Sequence, residues 1–316
     1  MIYILKKKIT VGYLSTAYHT AFILKERKGF KNRVKDDVEW LLFGTGPLMV
    51  KAFSEGRLDI GYMGLPPAII GIDSGVPIRC VAGGHVEGTI MIAKLNYKKL
   101  EDLDWNMKSV LSQFDGKAVG VPSKGSIHDV IIRYYLKQNN LQDNIIIRNY
   151  DQAEFIPVDM KRNILEAGVG TPSLSAYAST ILDSHIIIPP FKLWTYNPSY
   201  GIFFHQNIIK DHLGIGNTFL KQHKKASGLL RNKQKKAARI ISKSFGLIDK
   251  NYVLSVLKIS PKYCIALCDD YIKSTMRFVQ ILHELGYVKR NLSVEDIFDF
   301  QLIHEIHPEK EHYSVS

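Results

Sequence analysis

The feature that most constrains this chain is an alternation of short apolar strands and helical stretches, with turn-forming residues at one strand end after another. Ile9–Leu14 reads as the first strand, followed by a polar loop over Ser15–His19 and a helix from Ala21. Val38–Phe43 is the next strand; it ends at Gly44-Thr45-Gly46-Pro47 and feeds a helical stretch that stops at Gly56. Leu58–Tyr62 leads through Gly64-Leu65-Pro66-Pro67 into a helix over Ala68–Asp73, and Ile78–Gly83 is a further strand. After a charged stretch near Tyr97–Asp104 a second series begins, with strand Lys117–Val121, loop Pro122–Ser126, helix Ile127–Asn139, strand Ile145–Asn149 and helix Glu154–Leu165. It closes with a small-residue strand Ala167–Gly170, the turn Thr171-Pro172-Ser173, a helix through Leu182, and Ile186–Ile188. Strands alternating with helices of about ten residues predict parallel βαβ units, hence an α/β fold. Through Trp194–Tyr200 the chain is expected to return to the first unit at Gly201–Phe204, and from Asn217 the pattern is helical almost to the end.

Composition narrows the class. A length of 316 residues suggests two domains, at roughly 150 residues each. With 46% hydrophobic and 23% charged residues, neither a disordered nor a membrane composition fits. No apolar run approaches the roughly 18 residues needed to span a bilayer. Lys+Arg minus Asp+Glu is 42 − 30 = +12, densest over Lys221–Lys243. That run alternates charge with apolar residues and reads as a solvated amphipathic helix rather than a nucleic-acid surface. The three cysteines, Cys80, Cys264 and Cys268, form no disulfide framework. Cys264 and Cys268 fall in what reads as a helix (YCIALCDDYIKSTM), and no second cluster completes a zinc site, so both are expected to be buried small hydrophobes. The start, MIYILKKKITVGYLS, puts its positive charges after an apolar stretch, the reverse of a secretory signal.

The placement of small residues points to a site. Gly44–Pro47, Gly64–Pro67, Ser123–Ser126 and Thr171–Ser173 all fall at a strand's carboxyl end, directly before a helix. Open α/β sheets bind ligands there, where unpaired N–H groups at helix starts favour polar or anionic groups. Two such loops in each half of the chain imply a cleft between two lobes. No GxSxG, HExxH, GxxxxGK[ST] or strand-linked GxGxxG is present, so no catalytic residue is assigned. His304-Glu305-Ile306-His307 lacks zincin spacing and reads as a surface pair. His19 and His85 are placed near the cleft, Asp59 reads as structural, and Tyr18, Trp194, Tyr196 and Tyr200 could either stack on a flat ligand or pack the hinge.

Three stretches carry a family resemblance. VEWLLFGTGPLMVKAFSEGRLDIGYMGLPPAIIGIDSGVPIRCVAG (Val38–Gly83), FDGKAVGVPSKGSIHDVIIRYYL (Phe114–Leu136) and LEAGVGTPSLSAYA (Leu165–Ala178) resemble elements of the nitrate/sulfonate/taurine and thiamine-pyrimidine group of ABC-transporter substrate-binding proteins. The tail LGYVKRNLSVEDIFDFQLIHEI (Leu285–Ile306) is similar to that group's closing segment. The resemblance implies a class II periplasmic-binding-protein fold, with residues 1–95 and 198–316 forming one lobe and residues 96–197 the other. Carried over position by position, ligand contacts would come from Thr45, Gly46, Gly64, Leu65, Ser123, Gly125, Ser126, Thr171, Pro172 and Ser173, with Tyr18 and His19 in the loop that varies between subgroups. Relatives often place an acidic or aromatic residue before the proline of the third element; here Gly170-Thr171 stands there, which speaks against a cationic ligand held by that acid. The cysteine-rich motif of the self-sacrificing thiamine-pyrimidine synthases is absent. The function implied is a receptor that captures a small polar or anionic molecule (sulfonate, carboxylate or thiamine-pyrimidine-like) for an ABC permease and its ATPase. A monomer is expected, with no cofactor, no metal and no nucleic-acid partner. A cytosolic biosynthetic enzyme on the same scaffold is the alternative, and a ligand-sensing module a third reading. The location expected is extracytoplasmic if a signal precedes this sequence, and cytoplasmic otherwise.

Overall fold

Each strand–helix series builds one five-stranded sheet, and each sheet takes its fourth strand from a crossover between the lobes. The computed structural model describes residues 8–27, 30–33, 37–246 and 248–314. The first series runs β1 (Lys8–Leu14), α1 (Ala21–Arg27), β2 (Asp37–Phe43), α2 (Gly46–Ser54), β3 (Ile60–Met63), α3 (Leu65–Asp73) and β4 (Ile78–Val86). The chain then crosses over. The second series runs β5 (Ile90–Lys94), α4 (Met107–Ser112), β6 (Ala118–Pro122), α5 (Ile127–Gln138), β7 (Ile146–Tyr150), α6 (Phe155–Lys161), β8 (Ala167–Gly170), α7 (Pro172–Ile181) and β9 (Ser184–Ile188). After α8 (Pro190–Leu193) it returns through β10 (Pro198–His205).

The sheet orders are β2-β1-β3-β10-β4 and β7-β6-β8-β5-β9. In each, three parallel strands (β2-β1-β3 and β7-β6-β8) come first, then an antiparallel strand inserted by a crossover. β3 is buried along its whole length, as a central strand covered on both faces must be. Asp59, just ahead of β3, ties it to β1 by accepting from the Thr10 N–H at 2.9 Å and the Thr10 hydroxyl at 3.1 Å. Its expected structural role is what the contacts describe.

The strand β5 has no counterpart in the reading of the sequence. It belongs to the second sheet, so the first crossover lies between Val86 and Ile90, ahead of the expected boundary at residue 95. β5 runs antiparallel and has no helix directly after it, so it lacks the strand–turn–helix signature that marks β2, β3, β6 and β8. The two crossovers hold each other. The Glu87 N–H donates to the Asn197 carbonyl at 2.7 Å, and the Glu87 carboxylate accepts from the Tyr196 N–H at 3.1 Å and from Lys262 at 2.7 Å.

The remaining chain forms α9 (Gln206–Asp211), α10 (Leu213–Asn232), α11 (Gln234–Phe245), α12 (Lys250–Ile259), α13 (Asp269–Glu284), α14 (Val294–Ile297) and α15 (Ile303–Ile306). Helices α10 and α11 pack on α1, and α13 packs on α3, so this part covers the first lobe. Helix α12 instead reaches α7 of the second. Two expectations change here. Ser260–Cys268 is extended, not helical: it lies along β4, with the Gly83 N–H donating to the Ile265 carbonyl at 2.9 Å and the Val86 N–H to the Lys262 carbonyl at 3.2 Å. Pairing with an open sheet edge outweighs the helical spacing of its apolar residues. Beyond Glu284 the described residues are mostly irregular, with two four-residue helices among them. Cys80 and Cys264 are buried, as expected, while Cys268 is partly exposed. Among the described residues, no helix is long and apolar enough to cross a membrane.

Candidate ligand-binding cleft

Four helices of nine to twelve residues, α2, α3, α5 and α7, start at the carboxyl ends of β2, β3, β6 and β8. Their first residues follow Thr45, Gly64, Ser126 and Thr171, each in extended conformation. Proline occupies the first turn of α2, α3 and α7, where its missing N–H breaks no helical hydrogen bond. Helix α5 has no such proline. Its start is closed by Ser126, whose hydroxyl accepts from the Asp129 N–H at 3.3 Å, leaving the Ile127 and His128 amides at the helix mouth.

These starts converge on a cavity of about 530 Å³. The first lobe lines it with Tyr18, His19, Gly44, Thr45, Gly46, Gly64 and Pro67, and the second with Ser126, Ile127, His128, Glu154, Thr171, Ser173 and Tyr177. The carboxyl-terminal helices add Phe245, Ile248, Asp249 and Tyr252. Eight residues expected at the site therefore line it: Tyr18, His19, Thr45, Gly46, Gly64, Ser126, Thr171 and Ser173. Leu65, Ser123, Gly125 and Pro172 do not. The side chain of Leu65 is buried in the core. Ser123 bonds across the lobes instead, donating to the Asp151 carboxylate at 2.7 Å and accepting from the Thr45 hydroxyl at 3.1 Å. Gly125 sits at φ +79° with its N–H on the Asp129 carboxylate at 2.9 Å, a backbone shape that favours glycine.

The lobes meet around this cavity. Ser15 donates to Glu154 at 2.7 Å, and Tyr252 donates to the Ser173 carbonyl at 3.1 Å. At Gly44 a Cβ would stand 2.5 Å from the Asp151 carbonyl oxygen, so only glycine allows that cross-lobe approach.

No lysine or arginine lines the cavity among the described residues, and its histidines are neutral. Burial, reinforced by His85 and His223, pushes His19 down to about 3, and burial alone pushes His128 down to about 3. The two lining carboxylates are already engaged: Glu154 by Ser15, and Asp249 by the Asn251 N–H at 2.6 Å at the start of α12. Hydrogen bonding rather than ion pairing is what this surface offers. Two of its buried polar atoms, His19 Nδ1 and Ser173 Oγ, have no partner among the described residues. Such atoms are costly unless something satisfies them, and both lie on lining residues.

Behind His19 the first lobe holds an aromatic and imidazole cluster. His19 lies 4.2 Å from the Tyr200 ring centroid and stacks on Tyr62 at 5.9 Å; Tyr18 lies 4.6 Å from His85. His223 holds the Gly83 carbonyl at 2.8 Å and the Thr20 hydroxyl at 2.7 Å. His223 comes from the basic run that reads as a solvated face. Its burial could have been suspected only from its place on the apolar side of α10. His128, Glu154, Tyr177, Asp249 and Tyr252 were likewise not singled out as site residues from sequence, since each needs the fold to bring it to the mouth.

Two α/β lobes, each completed by a strand from the other's crossover and closed over a shared cavity, define a class II periplasmic-binding-protein fold. The chain belongs to the NMT1-like family, whose profile matches residues 5–244. Three solved structures share the fold. The ligand-binding component of an ABC-type import system from Staphylococcus aureus, solved with zinc bound, superimposes with a TM-score of 0.79 at 14% identity, covering 96% of this chain and 100% of that one. The periplasmic aliphatic sulphonate binding protein SsuA from Escherichia coli gives 0.75 at 16% identity, covering 92% of each chain. The periplasmic nitrate-binding protein NrtA from Synechocystis PCC 6803 gives 0.75 at 14%, covering 95% and 88%. A Brucella abortus protein named "putative binding protein" is 25% identical over 167 residues, 52% of this chain and 48% of that protein. The chain thus spans about half the length of the curated relatives it matches.

Proposed function

We propose that this protein is the substrate-capturing receptor of an ABC importer, taking a small organic molecule with a polar head into the cleft and releasing it unchanged to a membrane permease. The observation that carries this is the cavity itself: walls from both lobes, four helix starts around it, and unpartnered His19 Nδ1 and Ser173 Oγ on lining residues. The head group fits the amides of α5 and the hydroxyls of Ser126, Thr171 and Ser173, while Tyr18, Tyr177, Phe245 and Tyr252 suit an apolar or flat body. With no lysine or arginine in the wall among the described residues, a sulfonate or carboxylate would be held there by N–H and O–H donors. The solved neighbours named for sulphonate and nitrate, and their periplasmic location, support this class of ligand and a site of action outside the cytoplasmic membrane.

A thermal-shift screen of alkanesulfonates, carboxylates and pyrimidines identifies the ligand, since native-state binding raises stability by about 2.7 kcal/mol at a hundredfold excess over Kd. Ser126→Asp then tests the site. The carboxylate preserves the cap of α5 but fills and charges the pocket, so affinity for an anionic head should fall at least about tenfold, roughly 1.4 kcal/mol. Wild-type affinity in that folded variant would move the site elsewhere. Mass spectrometry of ligand recovered after long incubation should show an unaltered mass; a product peak would favour the enzyme on this scaffold.

A further inference from the structure

We infer that Cys264, His307 and His312 form a zinc site that clamps the carboxyl-terminal tail to the back of the first lobe. Their ligand atoms all lie within 4.8 Å of one another, with Cys264 Sγ 3.4 Å from His307 Nε2 and 3.5 Å from His312 Nδ1. Tetrahedral zinc, with Zn–S near 2.3 Å and Zn–N near 2.0–2.1 Å, requires S···N separations of about 3.5 Å. The sulfur–nitrogen spacing is therefore already that of a loaded site.

Both rings approach the same sulfur almost equally, one from the buried His307 and one from His312, so three groups that can all ligate zinc converge on one point. The Ala266 N–H also points at that sulfur, at 3.5 Å, as backbone amides commonly support a metal-bound thiolate. Charges nearby are mixed. Lys224 lies 2.5 Å from Glu309, whose carboxylate is 3.7 Å from His307 Nε2, and Arg231 donates to the Tyr263 carbonyl at 3.0 Å. The Glu309 and Glu311 carboxylates balance those two cations, and Cys264 would add a negative charge only on giving up its proton as the metal binds. Water or Glu309 can take the fourth position.

The site would be structural. Cys264 lies in the extended segment that pairs with β4, where the Gly83 N–H donates to the Ile265 carbonyl. His307 and His312 lie in the tail after α15, where the neighbouring Tyr313 donates to the Ala266 carbonyl at 2.9 Å. A metal here joins elements 43 and 48 residues apart in sequence, which is why spacing rules applied to the chain find nothing.

The test uses the full chain, stripped with a chelator and then titrated with zinc or cobalt. One zinc per chain should bind, cobalt should show a thiolate-to-metal charge-transfer band, and thermal unfolding should shift upward with zinc. Cys264→Ser should lose the band and weaken zinc binding at least tenfold; His312→Gln, at a half-exposed position, should weaken it comparably without threatening the fold. Cys268→Ser should bind as wild type. A cobalt spectrum of the wild type without a thiolate band, or zinc affinity unchanged in folded His312→Gln, overturns the inference.

Discussion

The two lobes share one strand plan and fill it with different chemistry. Behind its share of the cleft the first lobe carries Tyr18, His19, Tyr62, His85, Tyr200 and His223, all fully or nearly fully buried, and later helices pack over its α1 and α3. The second lobe presents Ser126, Thr171 and Ser173 to the cavity and closes its own core with aliphatic residues: Ile90, Ile92, Ile156, Met160, Leu165 and Leu174. One lobe supplies a rigid aromatic floor, the other a rim of helix starts and hydroxyls. The contrast teaches that the same βαβ geometry positions both, while side-chain chemistry divides the work between them.

The largest expected difference is in acid. His19 and His128 are pushed down to about 3, and His85 and His223 to about 4, in each case chiefly by burial. Their folded values lie below the ordinary imidazole value, so the unfolded chain takes up protons first. The stability they contribute is complete above about pH 6.5 and is lost as the pH falls toward their folded values, by up to about 1.4 kcal/mol per pH unit for each histidine. Three of the four belong to the first lobe. Hydrogen exchange at pH 5 against pH 7, corrected for intrinsic rates, should therefore show β1, β3 and β4 loosening before β6 and β8; equal loosening of both sheets would erase the distinction.

Next comes the return crossover. Trp194 stacks face to face on Phe278 of α13 at 4.1 Å, donates from Nε1 to Ser274 at 2.9 Å, and carries the Arg277 guanidinium at 4.4 Å. Trp194→Ala should cost about 3–5 kcal/mol in denaturant melts. A loss under 1 kcal/mol would mean the crossover is held by its backbone bonds alone.

Glycine replacements sharpen the contrast in packing. At Gly84 in β4 a Cβ would stand 2.0 Å from the Tyr200 ring, whereas at Gly168 in β8 it would meet the Ile156 methyl at 2.7 Å. An aromatic wedged in a buried cluster cannot retreat as an aliphatic terminus can. Gly84→Ala should lose about 3 kcal/mol and Gly168→Ala about 1 kcal/mol, the two ends of the usual overpacking range. Reversal of that order in matched melts would refute the rigid-floor account.

The cleft was largely legible in the sequence because its framework is local. Gly44–Pro47, Gly64–Pro67, Ser126 and Thr171–Ser173 each mark a strand end and a helix start within a few residues, and turn chemistry reads directly from such runs. What stayed hidden is what depends on distant partners. β5 pairs antiparallel between β8 and β9, and Cys264 lies in a segment that only β4 makes extended. Ser123 reads as a ligand contact by its place in a loop, yet its hydroxyl is taken by Asp151 of its own lobe and Thr45 of the other.

That last residue supports the smallest prediction. At the seam Ser123 bonds Thr45 of the first lobe and Asp151 of the second, and of the three only Thr45 also lines the cavity. Ser123→Ala removes both bonds. A hydrogen bond of this kind contributes about 0.5–1.5 kcal/mol net, and the residue is only 7% exposed, so a global loss near 1 kcal/mol is expected. The lobes themselves should be affected more than the fold. If Ser123 is a latch, the variant should sample a more open arrangement, seen as a larger radius of gyration in solution scattering. Its ligand affinity should fall by less than that of Ser126→Asp, because no lining group changes. A drop as deep as the Ser126→Asp loss would instead make Ser123 part of the binding surface, and the seam and the rim would then be one feature.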